Sequence, residues 1–172
     1  MPAADGHPSG LDLIQSKVAK WVCMGGNFIG SPPKDDLKLG NVNFQRDAAS
    51  ALYVIQHWPG LVEFVGREIG SVPSGLNAGE SLAKTSPENP VRMAYFHYFG
   101  ALKSRHVADL VTTLYAVRGL RDYWDIQTTG AMDLHSDLTF EWRPGGNHRQ
   151  SYPPQKAARR KTQRPLHRIR AR

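Results

Sequence analysis

Val18-Ala19-Lys20-Trp21-Val22-Cys23-Met24-Gly25-Gly26 is a β-favouring apolar run of strand length, closed by two glycines. Paired glycines directly after a strand allow a sharp turn and let another group approach the backbone closely. From Gly30 to Gly40 the chain is rich in Pro, Gly and charge and reads as a loop. Asn41-Val42-Asn43 follows it. Asp47 then opens a helix through Ala48, Ala51, Leu52 and Ile55 to Trp58, where Pro59-Gly60 ends it.

Working outward, Leu61-Val62-Glu63-Phe64-Val65 reads as a second strand, closed by Gly66. Strand, helix and strand at this spacing predict a βαβ unit with a parallel pair. The fold class is therefore α/β, with a mainly parallel open sheet and flanking helices. Such folds place ligands beyond the carboxyl ends of their strands, here at the Met24-Gly25-Gly26 turn.

On the amino-terminal side, residues 1–10 read as disordered, and Leu11, Ile14 and Val18 mark a brief helical turn leading into the strand. Beyond the second strand, Gly70 to Pro90 reads as a long surface loop with one helical turn near Leu82. Pro90 suits the first position of a helix in which Val91, Tyr95, Tyr98, Phe99 and Leu102 recur at three- to four-residue spacing. These aromatics read as core, with a stacking platform as the alternative. Asp109 opens a further helix with Leu110, Leu114 and Val117 as its apolar face. An aspartate there is favoured by the helix macrodipole, and it is also suited to ligate a metal beside a pocket. Tyr123–Gln127, Met132–Leu134 and Leu138–Trp142 read as short strands of a small antiparallel appendage.

Composition sets the limits. A chain of 172 residues suits one domain with its own core. No apolar run approaches the about 20 residues of a membrane helix, and residues 1–10 lack the pattern of a signal peptide, so the cytoplasm is the expected compartment. The lone Cys23 reads as a small buried hydrophobe. The net charge of +7 is unevenly distributed. Ten of the 22 basic residues follow Glu141 and no acid does, so the body is mildly acidic and carries a basic segment. Three regions are expected: 1–10 disordered, 11–150 folded, and 151–172 a disordered basic tail with scope for weak, non-specific nucleic-acid binding.

Taken together, Val22-Cys23-Met24-Gly25-Gly26, Asn43-Phe44-Gln45-Arg46-Asp47-Ala48-Ala49, the Phe64-Val65-Gly66 strand, and Asp109-Leu110-Val111 running to Tyr115-Ala116-Val117 resemble the inosine/uridine-preferring nucleoside hydrolase family. The likeness covers roughly residues 11–150 and corresponds to the carboxyl-terminal portion of a member. It implies an α/β fold that holds one Ca²⁺ in a pocket and splits the N-glycosidic bond of ribonucleosides. By resemblance Met24, Asn41 and Asn43 would contact the substrate, Asp109 would be a Ca²⁺ ligand, and His106 would be the leaving-group acid. The alternative for His106 is a solvated surface histidine.

The sequence also departs from the family pattern. The aspartate-rich amino-terminal motif that supplies most metal ligands and the water-activating base is missing, as is the upstream threonine-bearing strand. Asn41 stands where many members have glutamate, and Ala108 where many have histidine. The expectation is a truncated nucleoside hydrolase-like domain with little or no hydrolysis as a single chain, with monomer and homo-oligomer both open. The rival is a non-catalytic nucleoside-binding or interaction protein.

Overall fold

The structure is a computed structural model, and it describes residues 6–28, 42–70, 76–126, 130–145 and 150–152. Helix α1, Gly10–Lys17, is fixed at its start by a capping box in which Ser9 and Asp12 satisfy each other's backbone N–H. It feeds strand β1, Lys20–Met24. A short helix α2, Val42–Gln45, precedes α3, Ala48–His57, whose N-cap Asp47 accepts the Ser50 backbone N–H at 3.0 Å. Strand β2, Leu61–Val65, then lies parallel to β1 over its whole length, Lys20 opposite Leu61 through Met24 opposite Val65. The expected parallel pair is therefore present. Ile55 is buried with Cys23, Val62 and Phe64, and Ala51 and Leu52 pack against them, so α3 covers one face of the pair. Burying side chains of this kind stabilises the fold by about 1.5–3 kcal/mol each.

After β2 come the single-turn helix α4, Arg67–Gly70, the two-residue strand β3, Asn77–Ala78, and a 3-10 helix at Glu80–Lys84 near the expected turn. Helix α5, Pro90–Phe99, starts at an Asn89 cap and ends at left-handed Gly100. Strand β4, Arg105–His106, pairs antiparallel with β3. Helix α6, Ala108–Arg118, packs Val111 and Tyr115 into a second cluster with Val65, Ile69, Val107 and Trp124 on the sheet's other face. Strands β5, Gly130–Leu134, and β6, Phe140–Pro144, form an antiparallel pair. Strand β7, Gln150–Ser151, joins β2 in parallel, giving the order β1-β2-β7. The described residues thus mix helix and strand, with one small parallel sheet and two antiparallel pairs.

Four expectations need correction. The α5 aromatics are not core, since none of that helix is buried and Tyr98 is 82 % exposed. Tyr95 instead spends its hydroxyl on the Lys103 carbonyl at 2.7 Å, and Arg105 lies over the Phe99 ring. On α6, of the expected face of Leu110, Leu114 and Val117, only Leu114 packs against the core, while Leu110 and Val117 point outward, at 61 % and 78 % exposure. Ala108, Val111, Thr112 and Tyr115 are the buried residues of this helix, with Leu114 at the margin of their cluster. Both sides of this helix are apolar, so periodicity alone does not choose between them. Tyr123 and Trp124 are not in a strand: their N–H groups turn back to the Leu120 carbonyl, and Arg121 adopts a positive φ. At the basic segment's start, Ser151 is buried and Tyr152 packs on Phe28, so the folded part includes both. Residues 1–5 and 153–172 lie outside the described residues.

Candidate functional site

The carboxyl ends of β1 and β2 form one edge, and the turns beyond them are laced together. The Gly25 N–H donates to the Val65 carbonyl at 3.2 Å, and the Arg67 N–H donates to the Gly26 carbonyl at 2.8 Å. Glycine suits this position, because a Cβ here would collide with the Phe44 ring. That buried ring pins α2 beside the end of β1. As a result the Asn43 side-chain N–H₂ reaches the Met24 carbonyl at 3.3 Å and the Met24 sulfur at 3.2 Å. Met24 and Asn43, far apart in sequence, are in contact at the ligand-binding edge of an α/β sheet.

Asp109 is held differently. The Val107 N–H donates to the Gly70 carbonyl at 2.7 Å, and Ala108 sits so close that a Cβ on Gly70 would collide with its backbone. This anchors the start of α6 just past the end of β2. Asp109 lies in its exposed first turn, and its carbonyl accepts the Thr113 hydroxyl at 2.9 Å. His106 is exposed in β4, opposite Asn77. Among the described residues, no side-chain hydrogen bond joins Asp109 or His106 to Met24 or Asn43. Asn41 lies outside the described residues.

Among the described residues no group of three or more His, Cys, Asp or Glu side chains is placed to hold a metal ion. Asp109 alone falls far short of the roughly six to eight oxygens that Ca²⁺ takes. The described residues therefore do not by themselves fit that ion.

The same edge holds a carboxyl that the sequence reading passed over. Glu68, three residues past β2, is buried, and among the described residues neither of its oxygens has a hydrogen-bond partner. Burial pushes its pKa up from 4.5 to about 7. Its own N–H and that of Phe28 lean toward the carboxyl and oppose the rise, without reaching hydrogen-bond geometry. Asn27, three residues past β1, likewise has a buried Oδ1 with no partner among the described residues. The signal was a lone acid between two glycines, Gly66-Arg67-Glu68-Ile69-Gly70, directly after a strand.

Among the described residues no helix is long and apolar enough to cross a membrane. Neither the family models, the curated proteins nor the solved structures contain a match to this chain.

Proposed function

We propose that this chain carries the sugar-side half of a nucleoside hydrolase-type site, acting on the N-glycosidic bond of ribonucleosides. The observation that supports this most is the Met24–Asn43 contact at the carboxyl end of a parallel βαβ unit. In this reading the Asn43 amide holds the ribose hydroxyls and Met24 lines the sugar's apolar face. Asparagine suits the task because its amide both donates and accepts, matching a hydroxyl in either role. The Ca²⁺ implied by the resemblance would take Asp109 as one ligand and its remaining oxygens from outside the described residues, so hydrolysis by this chain alone is expected to be slight. His106, exposed in β4, is then a surface histidine in this conformation.

The test is equilibrium binding of inosine and uridine, alongside base release with and without Ca²⁺, on wild type and Asn43→Ala. Loss of a hydrogen bond to substrate should weaken binding about tenfold. Ribonucleoside binding that Asn43→Ala leaves untouched places the site elsewhere.

A second reading concerns the ten basic residues after Glu141. Unopposed by any acid, they suit phosphate backbones, with an affinity that falls steeply as salt rises. A salt titration with a mixed-sequence duplex isolates this activity from nucleoside binding.

A further inference from the structure

The Glu68 carboxyl has an unusual seat. It folds back over Gly66, so closely that a Cβ on that glycine would collide with it, and the Phe28 N–H faces it from the chain beyond β1. Neither of its oxygens has a hydrogen-bond partner among the described residues, a state that buried polar groups seldom keep. The ionisable groups on the elements around it do not make up the deficit. Arg67 adjoins it on α4 and Tyr152, beyond β7, feels its charge, yet neither bonds to it. On the sheet, Lys20 is spent on Glu63 at 2.6 Å, and the Tyr115 hydroxyl of α6 is engaged with Glu63 as well. His106 and Asp109, on either side of the start of α6, are exposed. The turn that carries Glu68 is also a junction. On one side it is fixed, because Ile69 is fully buried and the Gly70 carbonyl accepts the Val107 N–H at 2.7 Å. On the other side the Arg67 N–H holds the Gly26 carbonyl at 2.8 Å, and residues 25–28 are two glycines followed by half-buried Asn27 and Phe28. Gly26 has a φ of 86°, so this side is the one free to swing.

We propose that Glu68 is the catch of a proton-operated latch: neutral, it lets its turn close on residues 25–28, and ionised, it drives the two apart. A charged carboxylate that is buried without a partner is costly, and local opening that brings water to it relieves the cost. Opening breaks the Arg67–Gly26 bond and leaves the Gly70–Val107 junction in place. The released segment runs straight on from Met24, so the latch loosens the edge where Met24 and Asn43 meet, whatever that edge binds. Burial raises the pKa of Glu68 from 4.5 to about 7. Closure is therefore fully supported below pH 4.5, and that support is lost as the pH climbs through 7.

The experiment follows amide hydrogen exchange by NMR on the full chain from pH 5 to pH 8, with the intrinsic exchange rate at each pH divided out. Wild type is compared with Glu68→Gln. The Arg67 N–H reports the latch, and Phe64, fully buried in β2, reports unfolding of the whole fold. In wild type the opening at Arg67 should increase on the order of a hundredfold from pH 5 to pH 8. Low urea, which speeds only exchange that exposes much surface, should leave Arg67 unaffected while it speeds Phe64. In Glu68→Gln the opening at Arg67 should be equal at both pH values. Arg67 exchanging at the rate of Phe64, with the same urea dependence, means that the turn opens only with the whole fold and overturns the inference. Local opening at Arg67 that ignores pH in wild type does the same, as does a pH dependence that survives in Glu68→Gln. If Glu68→Gln does not fold, the pH and urea responses of wild type decide.

Discussion

Replacing Glu68 by Gln should make the protein more resistant to unfolding at alkaline pH than at acid pH, relative to wild type. The carboxyl is buried, so its pKa rises on folding from 4.5 to about 7, with burial as the leading cause. A group whose pKa is raised in the folded state contributes stability below its unfolded pKa, and that contribution is lost as the pH climbs through the folded value. The window is therefore pH 4.5 to about 7. At 1.36 kcal/mol per pKa unit, this interval corresponds to about 3 kcal/mol. Glutamine keeps the shape and removes the ionisation. Its extra N–H₂ adds an offset that does not depend on pH, so the diagnostic is how the wild type–variant difference changes with pH. Urea unfolding followed by tryptophan fluorescence at pH 5 and pH 8 measures it. The variant should gain about 3 kcal/mol on wild type between the two, seen thermally as a change of roughly 6–12 °C in the Tm difference for a domain of this size. An equal difference at both pH values would refute the reasoning, because it would mean that Glu68 finds a partner or water when ionised.

Other consequences can be measured on the same protein. Gly25→Ala drives a Cβ into the Phe44 ring and should cost about 1–3 kcal/mol in urea unfolding. Val117→Lys, on the exposed side of α6, should change stability by less than about 0.5 kcal/mol, whereas Val111→Ala on the buried side should cost about 2 kcal/mol. Burial pushes the Cys23 thiol up to about 12, so alkylation at pH 8 should be slow in native protein and rapid once urea unfolds it. Truncation after Tyr152 should leave Tm nearly unchanged while removing low-salt affinity for DNA.

The βαβ unit was legible because its signals are local: two apolar runs, a capped helix and paired glycines all lie within one short window. The Met24–Asn43 contact followed from the same logic, since both residues were placed at element ends that an α/β sheet brings together. The faces of α5 and α6 were not legible. Leu110 and Val117 are as apolar as Val111, and which side meets the sheet depends on the Gly70–Val107 junction, which is a tertiary contact. Glu68 escaped for a related reason. A charged residue beside a strand end reads as solvated unless the neighbours that bury it are known, and those are set by the tertiary fold. Strand β7 is too short to carry any periodicity.

The sheet order β1-β2-β7 also fixes a sequence of events in folding. Pairing Lys20 with Leu61 closes one stretch of chain, while pairing Val62 with Gln150 closes a stretch roughly twice as long and gains only two residues of ladder. Each doubling of loop length adds only about 0.6 kcal/mol of closure entropy, yet two residues of parallel pairing return little against it. Strand β7 should accordingly form last and fray first. As the nascent chain emerges, β1, α3 and β2 can assemble while everything after Val65 is still being made. Amide exchange should then grade the molecule, slowest in β1 and β2 and fastest at Gln150 and Ser151.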